Sequence, residues 1–132
     1  MEYSFEKLEV WKKSRMLVKK IYLTTNSFPS DERFELTNQI RRAIVSVSSN
    51  IAEGSTRQTD KEKARFYEIA FGSLIEVLNQ LILANDMNYI TKDELNKIRP
   101  QIEETGRMLN ALHKSSKKPK NPSPTKSTKP KN

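Results

Sequence analysis

The sequence predicts an all-α fold, an antiparallel up-down-up-down four-helix bundle. Apolar residues recur at spacings of three and four along four segments, and no stretch of useful length alternates between apolar and polar residues as a strand would. Short breaks separate the segments, which places consecutive helices side by side. With 132 residues, 35% of them hydrophobic, the chain is long enough for one domain with one core.

A proline separates the first two predicted helices. Helix one is expected from about Phe5 to Asn26, and Phe28-Pro29 ends it because proline lacks an amide hydrogen and disfavours a helical residue before it. Helix two can begin with Ser30 or Asp31 as its N-cap. Gly54 is its expected C-terminal stop, since glycine commonly follows the last helical residue.

The third and fourth predicted helices each open with a capping box. Thr59 and Glu62 form the first box, and Thr91 and Glu94 form the second. Helix four then carries a narrow apolar seam that favours close packing with neighbouring helices. We expect Pro100 to kink or break this helix, because its ring cannot coexist with a straight helical hydrogen bond.

The positive charge of the chain is concentrated at its C-terminus. The formal net charge is +8, yet the seven lysines from Lys114 onward, with no acid among them, leave 17 basic and 16 acidic side chains in residues 1–113. The segment 114–132 also holds four of the six prolines and no large apolar residue. Such a composition supports no core. The sequence therefore predicts a four-helix bundle over 1–113 and a disordered, Lys/Pro/Ser-rich basic tail over 114–132.

Helix three has two apolar stripes, whereas a helix of a single bundle needs one. Large exposed apolar patches are rare on monomers, so the second stripe predicts contact with another subunit. The alternative is a wide core face on the most central helix. The predicted subunit interface comprises Tyr67, Phe71, Ile75, Leu78 and Ile82.

Adjacent arginines in helix two are not explained by packing alone. Guanidinium groups suit phosphate oxygens, and paired lysines of helix one add further positive charge. Equally, Arg41 and Arg42 could form structural ion pairs with Glu35, Glu53 or an acid across the bundle. The candidate nucleic-acid-binding residues are Arg41, Arg42, Lys12, Lys13, Lys19, Lys20 and Arg57.

Catalytic and metal-binding signatures are absent from the sequence. It has no cysteine and a single histidine, His113, and it lacks Glu-x-x-His, His-Glu-x-x-His and any phosphate-binding glycine loop. We therefore expect no enzyme activity, catalytic residue, metal or cofactor. No run of eighteen apolar residues or signal-peptide pattern occurs, so we expect a cytoplasmic protein without a membrane role.

Three segments carry a resemblance to a known family: FEKLEVWKKSRMLVKKIY, LTNQIRRAIVSVSSNIAEG and FYEIAFGSLIEVLNQLILA. In this order and spacing they resemble the bacterial four-helix bundle proteins encoded by intervening sequences in 23S ribosomal RNA genes, over roughly residues 5 to 113. Those proteins look like relatives of the accessory variability proteins of diversity-generating retroelements. The resemblance implies a barrel-like homopentamer whose basic surface binds nucleic acid.

Three functional hypotheses follow. The first is a non-enzymatic oligomer that contacts the RNA or DNA backbone through a basic surface repeated around the ring, with weak sequence preference. The alternative is an oligomeric scaffold that recruits a protein partner such as a reverse transcriptase. A third possibility is a lysine-tailed protein that associates with anionic surfaces generally. The sequence does not decide between RNA and DNA.

Overall fold

The computed structural model describes residues 1–32 and 35–117, and within these ranges the chain is helical and has no strand. This confirms an all-α protein with four α-helices. Short 3-10 helices occupy Ser4–Lys7 and Ser30–Glu32. The α-helices are α1 (Glu9–Thr25), α2 (Leu36–Ser55), α3 (Asp60–Asp86) and α4 (Lys92–Lys117).

One hydrophobic core is shared by the four helices. Each contributes side chains at a spacing of three to four residues, which places them along one face of the helix. Burial of each large apolar side chain contributes about 1.5–3 kcal/mol of transfer free energy. The largest fully buried members are Leu17 and Ile21 of α1, Ile40, Ile44, Val47 and Ile51 of α2, Leu74, Val77 and Leu81 of α3, and Ile98, Ile102 and Leu109 of α4.

Both predicted capping boxes mark helix starts in the structure. The hydroxyl of Thr59 accepts a hydrogen bond from the Glu62 amide at 3.1 Å. At α4 the box is reciprocal: the Glu94 amide donates to Thr91 Oγ1 at 3.0 Å, and the Thr91 amide donates to Glu94 Oε1 at 2.9 Å. These bonds satisfy amides that have no partner inside the helix.

The first two helices start later than predicted, because 3-10 turns replace their first α-helical turns. The segment around Phe5 forms the Ser4–Lys7 turn, and the Phe5 ring packs edge-on against Trp11 at 5.0 Å between centroids. Likewise, Ser30 and Asp31 lie in a 3-10 turn, and α2 begins only at Leu36.

Gly54 does not have the role that the sequence predicted. It lies inside α2, is buried, and has no positive φ angle. A Cβ atom at this position would lie 2.7 Å from Tyr67 Cε1 and 2.9 Å from Phe66 Cβ. The glycine is therefore required for the close approach of α2 and α3, and it is not the residue that ends the helix.

The fourth helix is longer and more continuous than predicted. It runs through Pro100 without a break and continues past the predicted boundary at His113. In its last turn Ser116 is buried and donates to the Leu112 carbonyl of the same helix at 3.1 Å. Residues 114–117 thus belong to the helical domain, and the remainder of the predicted tail, 118–132, lies outside the described residues.

The second stripe of α3 packs largely within the chain itself. Tyr67 is 3% exposed and belongs to the core, which corrects its assignment to a subunit interface. Phe71, Leu78 and Ile82 are partly buried against the same core, and Ile75 is 48% exposed. The wide-core alternative accounts for these four buried or partly buried side chains, because α3 lies between α2 and α4 and contacts both.

Hydropathy sets α3 apart from the other described helices. Its length and a mean hydropathy of 1.3 over its most apolar window would allow it to span a membrane, and 33% of that window is buried inside the domain. A core helix of a soluble protein passes the same test. The expected cytoplasmic location stays a prediction.

Candidate nucleic-acid interface

Arg41 binds the C-terminal end of α1. Its Nε donates to Thr25 Oγ1 at 2.9 Å, and one terminal nitrogen donates to the Tyr22 carbonyl at 3.2 Å and to Asn26 Oδ1 at 3.1 Å. The guanidinium also lies over the Tyr22 ring, 4.6 Å from its centroid. A cation is favourable here because the last carbonyls of a helix carry partial negative charge.

These contacts engage Arg41 with α1, not with Glu35 or Glu53. Neither of the ion pairs considered from the sequence is formed, and much of the donor capacity of the guanidinium is used inside the fold. Arg41 is therefore a structural residue that joins α1 to α2.

The neighbouring Arg42 has a different environment. Its side chain is exposed and has no hydrogen bond or ion pair within residues 1–32 and 35–117. Adjacent positions in a helix point about 100° apart, which explains why two successive arginines differ in this way. Of the arginine pair, Arg42 is the one available to an anion.

The lysines of α1 form the densest basic surface of the described domain. Lys19 and Lys20 are exposed and have no ion pair among the described residues. Lys12 pairs with Glu9, and Lys13 pairs with Glu104 of α4, each at 3.4 Å and largely exposed. Such exposed pairs contribute about 0–1 kcal/mol, so a phosphate can displace them.

The charge of α1 dominates that of the domain. The helix holds five basic side chains and one acid, a net of +4. Since residues 1–113 together carry +1, the other residues of that range carry a net of −3. The net positive charge of residues 1–113 thus comes from α1.

Arg57 lies away from the other predicted cations. Its Nε donates to the Glu53 carbonyl at 3.2 Å, and its guanidinium covers the Phe66 ring at 4.9 Å. It binds the C-terminal end of α2, whereas Arg41 lies near the beginning of that 20-residue helix. At 1.5 Å per residue the helix is about 30 Å long. The predicted site residues therefore do not form one patch.

A polar crevice between α2 and α3 was not predicted. Its volume is about 520 Å³, and it is lined by Asn38, Gln39, Arg42, Ala43, Ser46, Ser73 and Glu76. Ser46 and Ser73 hydrogen-bond across the two helices at 3.0 Å, and Asn50 donates to Ser46 Oγ at 3.0 Å. Polar residues recur at spacings of three and four, at positions 39, 42 and 46 of α2 and at positions 73, 76 and 80 of α3. This pattern could have located the crevice from the sequence.

Gln80 lies buried beside this crevice and is 4% exposed. Its Nε2 donates to Gln39 Oε1 and to Glu76 Oε2, both at 3.3 Å, and both of those residues line the crevice. Its Oε1 is buried and has no partner among the described residues. A buried carbonyl left without a partner costs about 1–3 kcal/mol.

Other titratable groups show no catalytic arrangement within the described ranges. His113 Nε2 lies 2.8 Å from Glu68 Oε2 and connects α4 to α3. No group of three or more potential metal ligands occurs among residues 1–32 and 35–117.

Two tyrosines have raised pKa values. Burial raises the pKa of Tyr67 above its usual value. The Tyr89 hydroxyl donates to Glu32 Oε2 at 2.7 Å, and this hydrogen bond raises the pKa of Tyr89.

Comparison with known proteins places this fold in a family. The chain resembles, at 24% identity and a TM-score of 0.73, the crystal structure of a protein of unknown function from the S23 ribosomal protein family of Bacteroides thetaiotaomicron, with coverage of 80% of this chain and 98% of that one. That likeness concerns the fold alone. No curated protein matches the sequence significantly. The family model of the 23S rRNA-intervening sequence protein matches residues 6–111. Since this match spans most of the chain, the protein belongs to the 23S rRNA-intervening sequence protein family.

Proposed function

We propose that this protein is a non-enzymatic, oligomeric nucleic-acid-binding protein that contacts phosphates through the outer face of α1. The observation that carries the proposal is the net charge of +4 on α1, within a domain range that otherwise carries −3. Lys19 and Lys20 are its leading contacts, because they are exposed and have no described partner. Lysine ammonium groups bind phosphate as point charges, so the expected sequence preference is weak.

The C-terminal segment supports the same activity. Seven lysines without an acid follow from position 114, and the first of them, Lys114, lies in the last turns of α4. A flexible or helical array of lysines adds phosphate contacts and raises affinity without adding base recognition. The α1 surface and the C-terminal lysines are thus two electrostatic contributions that experiments can separate.

The contacts between helix ends support an antiparallel up-down-up-down order. Arg41 at the start of α2 binds Asn26 at the end of α1, and His113 near the end of α4 binds Glu68 in the first part of α3. We include this topology in the proposal. Short connections between consecutive helices favour it for the same reason as in the sequence.

Assembly into a ring, with a homopentamer favoured, is the second part of the proposal. The exposed apolar side chains Ile69, Ile75 and Leu83 of α3 and Met87 directly after it, each 40–52% exposed, support it. A ring would repeat α1 around an axis and convert a modest basic face per subunit into a strong one per assembly. We include in the proposal a relationship to the accessory variability proteins of diversity-generating retroelements, which would agree with such a ring.

One observation favours the alternative of a scaffold for a protein partner, such as a reverse transcriptase. Met16 and Leu23 of α1 are 66% and 61% exposed and lie among its lysines. Apolar side chains on a basic face add affinity for an acidic protein surface and little for a phosphate backbone. Binding that survives high salt would favour this alternative.

The test compares charge-matched variants in the chain truncated after Lys117, with RNA and DNA oligonucleotides of mixed sequence. Replacement of Lys19 and Lys20 by glutamine should weaken binding and lower the log–log salt slope by about 1.4–1.8, since each phosphate contact contributes roughly 0.7–0.9. Replacement of Lys92 and Lys97 of α4 by glutamine removes the same charge elsewhere and should change the slope less. Equal effects of the two pairs would contradict a binding face on α1, and absence of salt-sensitive binding would refute the function.

A further inference from the structure

Two charged side chains of the α2–α3 crevice are not paired with each other. Arg42 and Glu76 line the same crevice, yet they form no ion pair with each other. Glu76 is contacted by Gln80 Nε2 at a long 3.3 Å, which leaves most of its acceptor capacity free. The crevice therefore offers a carboxylate, an unpaired guanidinium and side-chain amides to one ligand.

The crevice is open and mainly polar in its lining, and its size admits a small polar ligand. A volume of about 520 Å³ lies in the usual range for small-molecule sites. Ala43 and Ser46, which have short side chains, are among the residues that line it. Gln80 stands buried beside the crevice with its Oε1 unpaired, so the crevice retains a polar group where an apolar side chain would pack without penalty.

We propose that this crevice binds the guanine base of a nucleotide, with Glu76 on the base and Arg42 on its phosphate. Among the four RNA bases, only guanine has two adjacent donors, N1–H and the N2 amino group, on its Watson–Crick edge. A carboxylate accepts both, and the amides of Asn38 or Gln39 can donate to O6. Arg42 at the crevice then donates to the phosphate.

This inference rests on the proposed function for its biological setting and refines it. The α1 lysines would hold the backbone without regard to sequence, and the crevice would select a guanine in a single-stranded segment. Base edges are exposed for such readout in single-stranded RNA and are paired in a duplex. The preference concerns one base and is compatible with weak preference over the rest of the bound strand.

The test uses the full chain and two mononucleotides, GMP and AMP, measured by isothermal titration calorimetry. We expect GMP to bind about tenfold or more tightly than AMP, the discrimination of a good bidentate contact. Glu76→Gln should abolish that preference, because an amide presents a donor where guanine requires an acceptor. Glu103→Gln, an exposed carboxylate on α4, is the matched control and should keep it. Equal affinities, no GMP binding, or a preference that survives Glu76→Gln would overturn the proposal.

A second measurement separates this proposal from the proposed function. GMP binding to the crevice does not need Lys19 or Lys20, so their replacement by glutamine should leave the GMP affinity within about twofold while oligonucleotide affinity falls. Loss of oligonucleotide binding with intact GMP selectivity would reject the α1 interface alone. Oligonucleotide binding without any GMP selectivity would reject the crevice alone. Circular dichroism melting curves verify that each variant is folded.

Discussion

The guanidinium of Arg41 joins two helices through Thr25: Nε donates to Thr25 Oγ1 at 2.9 Å, and that hydroxyl in turn donates to the Ile21 carbonyl at 2.8 Å. Thr25 is 2% exposed, so its bond to Ile21 is shielded from water, and its bond with Arg41 is partly buried. Shielding strengthens the bonds and makes the loss of one member costly. One of the two arginines that the sequence offered for phosphate is thus hydrogen-bonded inside the fold.

Arg41→Gln should lower the free energy of unfolding by about 1–3 kcal/mol, since it removes charge-assisted bonds to a helix end and leaves Thr25 short of a donor. Arg42→Gln is the matched control one residue away, and it should change stability by no more than about 0.5 kcal/mol. Urea denaturation at neutral pH measures both. Similar losses of unfolding free energy for the two variants would show that the hydrogen bonds of Arg41 do not stabilise the fold.

Two helical glycines, the buried Gly54 and the exposed Gly72, should respond oppositely to alanine. Gly54→Ala places a methyl group against Tyr67 and Phe66 and should destabilise the protein by about 1–3 kcal/mol. At Gly72 an added Cβ meets no atom within 4 Å, so Gly72→Ala should stabilise by about 0.5–1 kcal/mol through helix propensity. Thermal melts would detect both shifts. A stabilising Gly54→Ala would mean that the α2–α3 contact relaxes freely.

Alkaline pH should destabilise the fold through Tyr67. Burial raises its pKa, so the folded state favours the neutral phenol. This contribution is fully present below the unfolded-state pKa of about 10 and is lost as pH rises through the raised pKa. Tyr67→Phe should flatten the decline of unfolding free energy between about pH 9 and 11. Tyr3→Phe, at an exposed tyrosine, is the control. If the unfolding free energy of Tyr67→Phe declines as in the wild type, the decline is caused by Tyr89 or other groups.

The boundary of the folded domain should lie at Lys117. A chain truncated after Lys117 is expected to melt within about 1 °C of the full chain, because the composition of 118–132 supports no core. Truncation after His113 removes the last helical turn with the buried Ser116 and should cost about 1 kcal/mol, roughly 4 °C or more in a domain of this size. Equal melting temperatures for the two truncations would restore the boundary at His113.

Light scattering should report a homo-oligomer, with a pentamer expected. If α3 provides the contact, Ile75→Asp should dissociate the assembly and leave helicity intact, because this side chain is about half exposed in the single chain. Phe71→Asp should instead unfold the protein, since Phe71 packs partly buried against the core. A monomeric wild-type mass would reject the assembly. Dissociation by Phe71→Asp without unfolding would assign that residue to the subunit contact.

Local chemistry in the sequence determined the helix count and the starts of α3 and α4. Apolar spacing and the Thr59 and Thr91 boxes depend on residues within one or two turns, so a single sequence contains the information. The basic character of helix one was visible in the same way, because Lys19 and Lys20 face water whatever the neighbouring helices do. Family membership, too, followed from the order of three segments.

Only the tertiary structure decided the roles of Arg41, Gly54, Tyr67 and the crevice. Each depends on which side of a helix meets a neighbour: 100° per residue separates Arg41, which meets α1, from Arg42, which does not. Gly54 matches a helix stop in the sequence, yet Tyr67 of another helix lies where its side chain would be. Distances between helices are set by the packing of whole faces, and no local pattern in one segment specifies the partner atoms on another.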